Sequence, residues 1–132
     1  MKNKEEVIKQ DSIYVRDSNT GCTYSLKYED IVYITIDGYL IKYHSVNYGD
    51  LYVASGTLNG CCNLLPGFFC RLHRNLVVNM NFMKIFSAQE KYVLLSGVPV
   101  PLNISTSGVR IVKQFIVGQK STSRRFLTVE KC

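Results

Sequence analysis

The hydrophobic positions of this chain fall in short runs bounded by turn residues, a pattern that predicts strands joined by hairpins. Ser12 to Arg16 reads as a first strand, Asp17-Ser18-Asn19-Thr20-Gly21 is dense turn chemistry, and Cys22 to Tyr28 resumes with β-favouring residues. Ile31 to Ile36 is a continuous β-branched and aromatic run. Asp37-Gly38 is a strong two-residue hairpin signal, and Tyr39 to Ser45 returns with Leu40, Ile41 and Tyr43. Asn47-Tyr48-Gly49-Asp50 turns the chain again into Leu51 to Ala54. Further on, Met83 to Phe86 and Lys91 to Leu95 read as strands across an Ala88-Gln89-Glu90 loop. Ser96-Gly97 then turns into Val98 to Leu102, which Pro99 and Pro101 restrict to a sheet edge.

Helical spacing occurs twice. Thr57 can cap a short segment through Leu58, Cys61, Leu64 and Leu65 that stops at Pro66-Gly67, although Gly60 makes it a poor helix on its own. Ser105 or Ser107 can cap a second helix with Val109, Val112, Phe115 and Ile116 on one stripe, ending near Gly118. The expected fold is therefore mostly β, with antiparallel hairpins in small packed sheets, one short helix and one C-terminal helix. A polar segment, 1–11, precedes the domain at 12–117, and a basic tail, 118–132, follows it. Phe126-Leu127-Thr128-Val129 in that tail has the composition of a strand able to pair with an exposed sheet edge.

Between the two helical patterns lies the stretch Phe69-Cys70-Arg71-Leu72-His73-Arg74-Asn75-Leu76-Val77-Val78-Asn79. In an extended segment Cys70 and Leu72 face one way and Arg71 and His73 the other, and Arg74 breaks the alternation. The break predicts an exposed bend at Arg74-Asn75, with Leu76 and Val78 re-entering a core and Asn79 closing the turn. A basic and amide tip on a rigid stem suits phosphates and base edges.

Composition narrows the function classes. With 132 residues, 46% hydrophobic and 20% charged, the chain is long enough for one domain with a real core. The formal charge of +6 favours an anionic partner, nucleic acid before membrane surface. From position 110 onward the basic residues are Arg110, Lys113, Lys120, Arg124, Arg125 and Lys131, against the single acid Glu130, so much of that charge lies at the C-terminal end. The five cysteines, Cys22, Cys61, Cys62, Cys70 and Cys132, lack framework spacing and read as free thiols. No signal-like or membrane-spanning run is present, so the expected location is the cytoplasm.

The chain offers little for catalysis. It has two histidines, His44 and His73, few acids near either in sequence, no glycine-rich phosphate loop and no Gly-x-Ser-x-Gly elbow. Cys61, Cys62, Cys70 and His73 do not show the paired spacing of structural zinc, and alternation sets Cys70 and His73 on opposite sides of a strand. That argues against a Cys-His nucleophile pair as well. Neither an enzyme nor a cofactor, metal or small-molecule substrate is expected. His73 reads first as a packed histidine that hydrogen-bonds neighbouring backbone to hold the bend, with contact to nucleic acid second. Nine tyrosines suggest base stacking, but most sit in strands, where tyrosine is common.

Phe-x-Arg-x-His-Arg-x-x-x-Val-Asn at 69–79 resembles the signature of the LytTR-type DNA-binding domain, usually the output domain of bacterial response regulators. Glu29-Asp30-Ile31-Val32-Tyr33-Ile34, Asp37-Gly38, Gly56-Thr57-Leu58 and Leu64-Leu65-Pro66 follow that family's order and spacing. So do Val93-Leu94-Leu95, Gly97 and Pro99-Val100, and the resemblance spans roughly 13 to 117. It implies a transcriptional regulator that reads duplex DNA with loops, standing without the receiver domain that family members usually carry, and acting as a homodimer on a repeated site. The DNA-contacting residues it points to are Tyr39, Lys42, Arg71, His73, Arg74, Asn75 and Asn103, with Arg124 and Arg125 neutralising phosphates. Where the resembled domains continue with Ser-Arg, the arginine reading a base, this chain is expected to place Asn103-Ile104. Two other readings compete: a protein-interaction module that kept the core but lost DNA recognition, and a general binder of single strands.

Overall fold

A computed structural model describes residues 11–54 and 65–122, with side chains of the last helix described as far as 118. The expected helix from Thr57, the Phe126 to Val129 strand, Arg124, Arg125 and most of the 1–11 segment lie outside the described residues.

The first hairpin pairs β1 (Ser12–Arg16) with β2 (Thr23–Lys27). Five antiparallel strands form the central sheet: β3 (Ile31–Asp37), β4 (Leu40–Ser45), β5 (Gly49–Ala54), β6 (Phe69–His73) and β7 (Leu76–Asn79), in spatial order β5-β4-β3-β7-β6. A third sheet joins β8 (Met83–Ser87), β9 (Tyr92–Leu95) and β10 (Leu102–Asn103), and helix α1 spans Thr106–Thr122.

β3 and β7 read as near-continuous apolar runs because the sheet they centre is buried on both faces. On one face Tyr33, Leu72, Leu76 and Val78 join Val93, Leu95, Ile104 and Val112, so this core lies between the central sheet and the layer made by β8–β10 and α1. On the other, Ile31, Ile34, Ile41, Tyr43, Leu51 and Val77 pack with Val15, Leu26 and Tyr28 beneath the β1–β2 hairpin. Leu72, wholly buried, contributes about 2 to 3 kcal/mol by leaving water. Asn79, equally buried, donates from Nδ2 to the Ile31 carbonyl at 2.9 Å and accepts the Asn81 N–H at 2.9 Å, so it caps the 3-10 turn Met80–Phe82 and ties β7 to β3. Asn79 thus closes the next turn along the chain, Met80–Phe82, and not the Arg74-Asn75 bend as expected.

The edge strand β5 is closed by the turn of the first hairpin. Buried Asp17 accepts the Tyr52 N–H at 2.8 Å, and the Ser18 N–H donates to the Tyr52 carbonyl at 2.7 Å. The second carboxylate oxygen takes the Thr20 N–H and hydroxyl, each at 3.0 Å. Hydrogen bonding from the Tyr52 backbone, and then from Thr20 and Asn19, outweighs burial and holds the Asp17 pKa below its ordinary 3.8.

Three expectations are corrected. The strand expected from Val98 to Leu102 shrinks to Leu102–Asn103, because Pro99 and Pro101 bring no N–H to a ladder and Val98 instead donates to the Leu95 carbonyl within the turn. Helix α1 does not stop near Gly118 but runs to Thr122; an interior glycine costs about 1 kcal/mol and does not by itself end a helix. The third correction is in β6. Arg71 sits opposite Val77 and His73 opposite Leu76, so Leu72 is an extra residue, a β-bulge. Val77 and Leu76 bury into opposite cores, so the register sets Arg71 and His73 on opposite faces of the sheet, although both side chains reach round to the tip. By the same register Cys70, opposite Val78, shares a face with His73, and alternation does not separate them.

Candidate nucleic-acid interface

One end of the central sheet gathers two hairpin turns and a helix start. The β3–β4 turn at Gly38-Tyr39 and the β6–β7 turn at Arg74-Asn75 lie side by side, since the Ile36 N–H, one residue before the first turn's Asp37, donates to the Asn75 carbonyl at 3.2 Å. The third is the start of α1. Its cap, Ser105, donates both its N–H (2.9 Å) and its hydroxyl (3.2 Å) to the Leu72 carbonyl. The bulge frees that carbonyl from the β-ladder, and the helix start satisfies it.

The same serine oxygen accepts the Gly108 N–H at 2.9 Å, the usual bond from a cap to the third helical residue. Gly108 is required there by proximity: a Cβ at this position would stand 2.1 Å from the Leu72 oxygen. The helix therefore rests its first turn directly on the backbone of the bulge, and the β6–β7 tip is fixed relative to α1.

Within that tip the side chains brace the backbone. Arg71 Nη2 donates to the Arg74 carbonyl at 2.6 Å, and the Asn75 N–H donates to His73 Nδ1 at 3.2 Å. Because Nδ1 accepts, a neutral His73 carries its proton on Nε2, leaving that nitrogen as the donor. The expected bend-holding role of His73 matches this contact. Arg74 and Asn75 are exposed, and among the described residues neither the Arg74 guanidinium nor the Asn75 side-chain amide has a hydrogen-bond or ion-pair partner. Arg71, His73, Arg74, Ser105, Ser107 and Ile111 together line an open cleft of about 350 Å³.

Tyr39 crowns the neighbouring turn at 84% exposure, on a glycine hinge whose φ of +64° suits the tight reversal. Lys42 is level with His73 along the strands but on the far side of the sheet's centre. It lies in the cross-strand row His73–Leu76–Thr35–Lys42–Tyr52, three strands from His73. Its ammonium stands 4.0 Å from Asp50 and 5.3 Å over the Tyr33 ring. Partial burial works against its charge, but Tyr33, Asp50 and Tyr52 prevail and raise its pKa. Beside it His44 stacks on Tyr33 and bonds Asp50 through Nδ1 at 2.5 Å. Asn103 is exposed in β10 opposite Tyr92, on the run-in to α1.

Ile104 is 4% exposed, part of the core beneath α1, and its N–H donates to the Lys91 carbonyl at 3.0 Å. Position 104 is therefore an anchor, and the expectation that it stands at a base-reading position is not met. The serine of this stretch is Ser105, followed by the exposed Thr106. Sequence reasoning missed Lys91, whose Nζ donates to Thr106 Oγ1 at 2.9 Å. It also missed Gly108, for which a glycine in the first turn of a helix was the available signal.

Among the described residues no group of three His, Cys, Asp or Glu side chains is placed to hold a metal, and burial pushes the Cys70 thiol pKa up, away from the thiolate a nucleophile needs. No helix among them is long and apolar enough to cross a membrane.

Comparison with known proteins agrees with this architecture. A family model described as the LytTr DNA-binding domain matches residues 21–117. Among solved structures, the chain is similar to the LytTr DNA-binding domain of a protein described as a methyl-accepting/DNA response regulator from Bacillus cereus. The two share 14% identity with a TM-score of 0.67, over 81% of this chain and 97% of that one. At that identity the likeness shows the fold alone, and no curated protein matches the sequence. The family match extends over most of the chain, through all three layers of the fold, and the chain belongs to the LytTr DNA-binding domain family.

Proposed function

We propose that this protein is a transcriptional regulator that reads duplex DNA with the end of its central sheet, the Arg74-Asn75 tip and the start of α1 forming a rigid head and the Tyr39 turn a second contact beside it. The observation that carries this reading is the convergence of two hairpin turns and a helix start at one end, locked together by the Asn75 and Leu72 carbonyls, with the side chains of Arg74 and Asn75 left unengaged among the described residues. A guanidinium and an amide on a fixed backbone can each present bidentate contacts to a base edge. Arg71 and Lys42 are assigned differently. Arg71 braces the tip, and Lys42 belongs to the Tyr33–His44–Asp50 cluster. Asn103 remains an accessible candidate at the flank, and Arg124 and Arg125 contribute charge whose placement rests on sequence alone. A pair of such domains on a repeated site is the functional unit.

The family's Ser-Arg pair is better set against Ser105-Thr106, where the serine caps the helix and the next residue faces solvent. A threonine in that place lacks the bidentate donors that read guanine. This one observation favours the second reading, a protein-interaction module with a LytTr core.

The test separating the two is selection of duplexes from a random pool, followed by binding of wild type and Arg74→Ala to a selected site and to random DNA. The variant should lose about 1 to 3 kcal/mol on the selected site and much less on random duplex. If about five phosphates are neutralised, log K should fall against log salt with a slope of roughly −4 to −5. No enrichment, with no binding at low salt, refutes the DNA reading and favours the interaction module.

A further inference from the structure

Helix α1 carries no aspartate or glutamate in its 17 residues, and in the sequence no acid occurs between Glu90 and Glu130. The cations of the helix are Arg110, Lys113 and Lys120. At ~3.6 residues per turn, the buried Gly108 and Val112 mark its inner side, while Thr106, Ser107, Arg110, Lys113, Gln114 and Val117, all exposed, fill one outer arc with Arg110 at its centre. A solvated helix face ordinarily carries both signs, so that residues one turn apart can pair. Arg110 and Lys113 are neighbours of like sign, which works against the helix in the free protein. The first hairpin, across the central sheet, differs: its exposed Arg16 and Lys27 are flanked in sequence by Asp11 and Glu29, which are exposed as well. The outer arc of α1 also begins at the reading head, because Ser107 lines the same cleft as Arg74. Along the helix axis Arg110 lies about 5 Å beyond Ser107 and Lys113 about 9 Å beyond it.

We infer that the outer face of α1 is a backbone-contacting surface of the DNA interface, on which Arg110 and Lys113 neutralise phosphates beyond those met by the reading head. The inference rests on the duplex-DNA reading above and adds to it two residues and a direction, from the head along α1. Cations gathered along one helix face are the electrostatic footprint of a nucleic-acid partner. The Ser105 bonds to the Leu72 carbonyl fix the first turn of α1 to the bulge, so the register of these cations on the duplex follows that of the head. The like-sign repulsion that works against the free helix is relieved once each cation meets a phosphate, and the counterions released there add to the affinity. Contacts of this kind position the protein on the duplex without reading sequence.

The test uses the full chain, a duplex recovered by selection and a random duplex, with affinity measured by fluorescence anisotropy across salt concentrations and thermal midpoints measured alongside. Arg110→Gln and Lys113→Gln each remove one charge and keep a good helix former. Arg110→Lys and Lys113→Arg keep the charge. Arg16→Gln and Lys27→Gln remove the same charge from the first hairpin, on the other side of the central sheet from α1. Each Gln variant of α1 should bind roughly three- to tenfold more weakly at about 0.1 M salt and lose about one unit of salt slope, on selected and random duplex alike. Its thermal midpoint should stay at the wild-type value. The charge-keeping variants should retain the wild-type slope, and the hairpin variants should bind within about twofold of wild type, since salt screens charges far from the duplex. Equal weakening by the α1 and hairpin variants overturns the inference, because net charge alone then accounts for it. So do wild-type affinity and slope in both α1 Gln variants, a loss with an unchanged slope, which is the mark of a structural role, and a loss confined to the selected duplex. If wild type itself binds no duplex at low salt, the DNA reading fails and this inference fails with it, an outcome distinct from a binding wild type with indifferent α1 variants.

Discussion

The two hairpin tips at the end of the central sheet have similar lengths and opposite mechanics. The Arg74-Asn75 tip is held from within by Arg71 and His73, from one side by Ile36, and from behind by the helix cap on the Leu72 carbonyl. The Gly38-Tyr39 tip has none of these side-chain braces among the described residues; Tyr39 is 84% exposed, and no atom lies within 4 Å of where a Gly38 Cβ would be. One tip is pre-organised and the other adaptable. For recognition the difference matters, because a braced backbone loses little conformational entropy on binding whereas an unbraced turn must be ordered when it docks. Changes near the first tip should therefore alter stability and binding together, and changes at the second should alter binding alone.

The largest expected effect comes from Gly108→Ala. The added methyl would meet a backbone oxygen at 2.1 Å, and neither the bulge nor the capped first turn can shift without breaking the Ser105 bonds. A loss of ~3 kcal/mol or more is expected, read as a lower denaturation midpoint, because overpacking against backbone is relieved only by moving whole elements. A near-wild-type midpoint would show that α1 can slide over β6, and the contrast between a fixed and a free tip would collapse. Ser105→Ala should cost about 1 to 2 kcal/mol by removing the cap and one of two donors to Leu72. Amide exchange should then quicken at the Arg74 tip and stay unchanged at Tyr39; equal effects at both would mean the cap does not brace the tip selectively.

Most of the fold was legible because its strands follow simple rules. The β-branched run at Ile31, the Asp37-Gly38 turn and the apolar anchors around Arg74 each gave an element within a residue or two. The candidate site was legible in its residue types but not in its construction. Alternation assigned Arg71 and His73 to one face because a bulge adds a residue without changing composition, and only the pairing with Leu76 and Val77 reveals it. Ile104 was misread for a related reason: near a short strand and a helix cap, a shift of two residues exchanges a buried anchor for an exposed position, and local propensity does not set that register. Lys91 was invisible because a left-handed lysine, here at a φ of +58°, carries no sequence mark of its own.

Asp17 offers an internal control away from either tip. Its depressed pKa means that its contribution to stability is complete above the ordinary 3.8 and is lost as pH falls through the lower native value. On acidification the β1–β2 turn should release the Tyr52 edge of β5. Asp17→Asn should lower stability at neutral pH and flatten the acid limb of the pH profile below 3.8, with amide exchange at Tyr52 as the local probe. An acid limb unchanged by the substitution would assign acid sensitivity elsewhere.

The smallest expected change in stability is at the free tip. Tyr39→Ala removes a ring that is already 84% exposed, and it leaves Gly38, which sets the turn, in place, so the denaturation midpoint should shift by no more than about 0.5 kcal/mol. Duplex binding should nevertheless weaken, and the loss should be largely entropic to repair: a residue that keeps a rigid aromatic surface, as in Tyr39→Phe, should recover most of it if the contact is packing against sugar, and little of it if the hydroxyl bonds a phosphate. Pairing Tyr39→Ala with Arg74→Ala sharpens the comparison further. If the two tips approach the duplex independently, their losses should add to within about 0.5 kcal/mol, whereas a marked departure from additivity would mean that seating the rigid tip is what brings the adaptable one into contact.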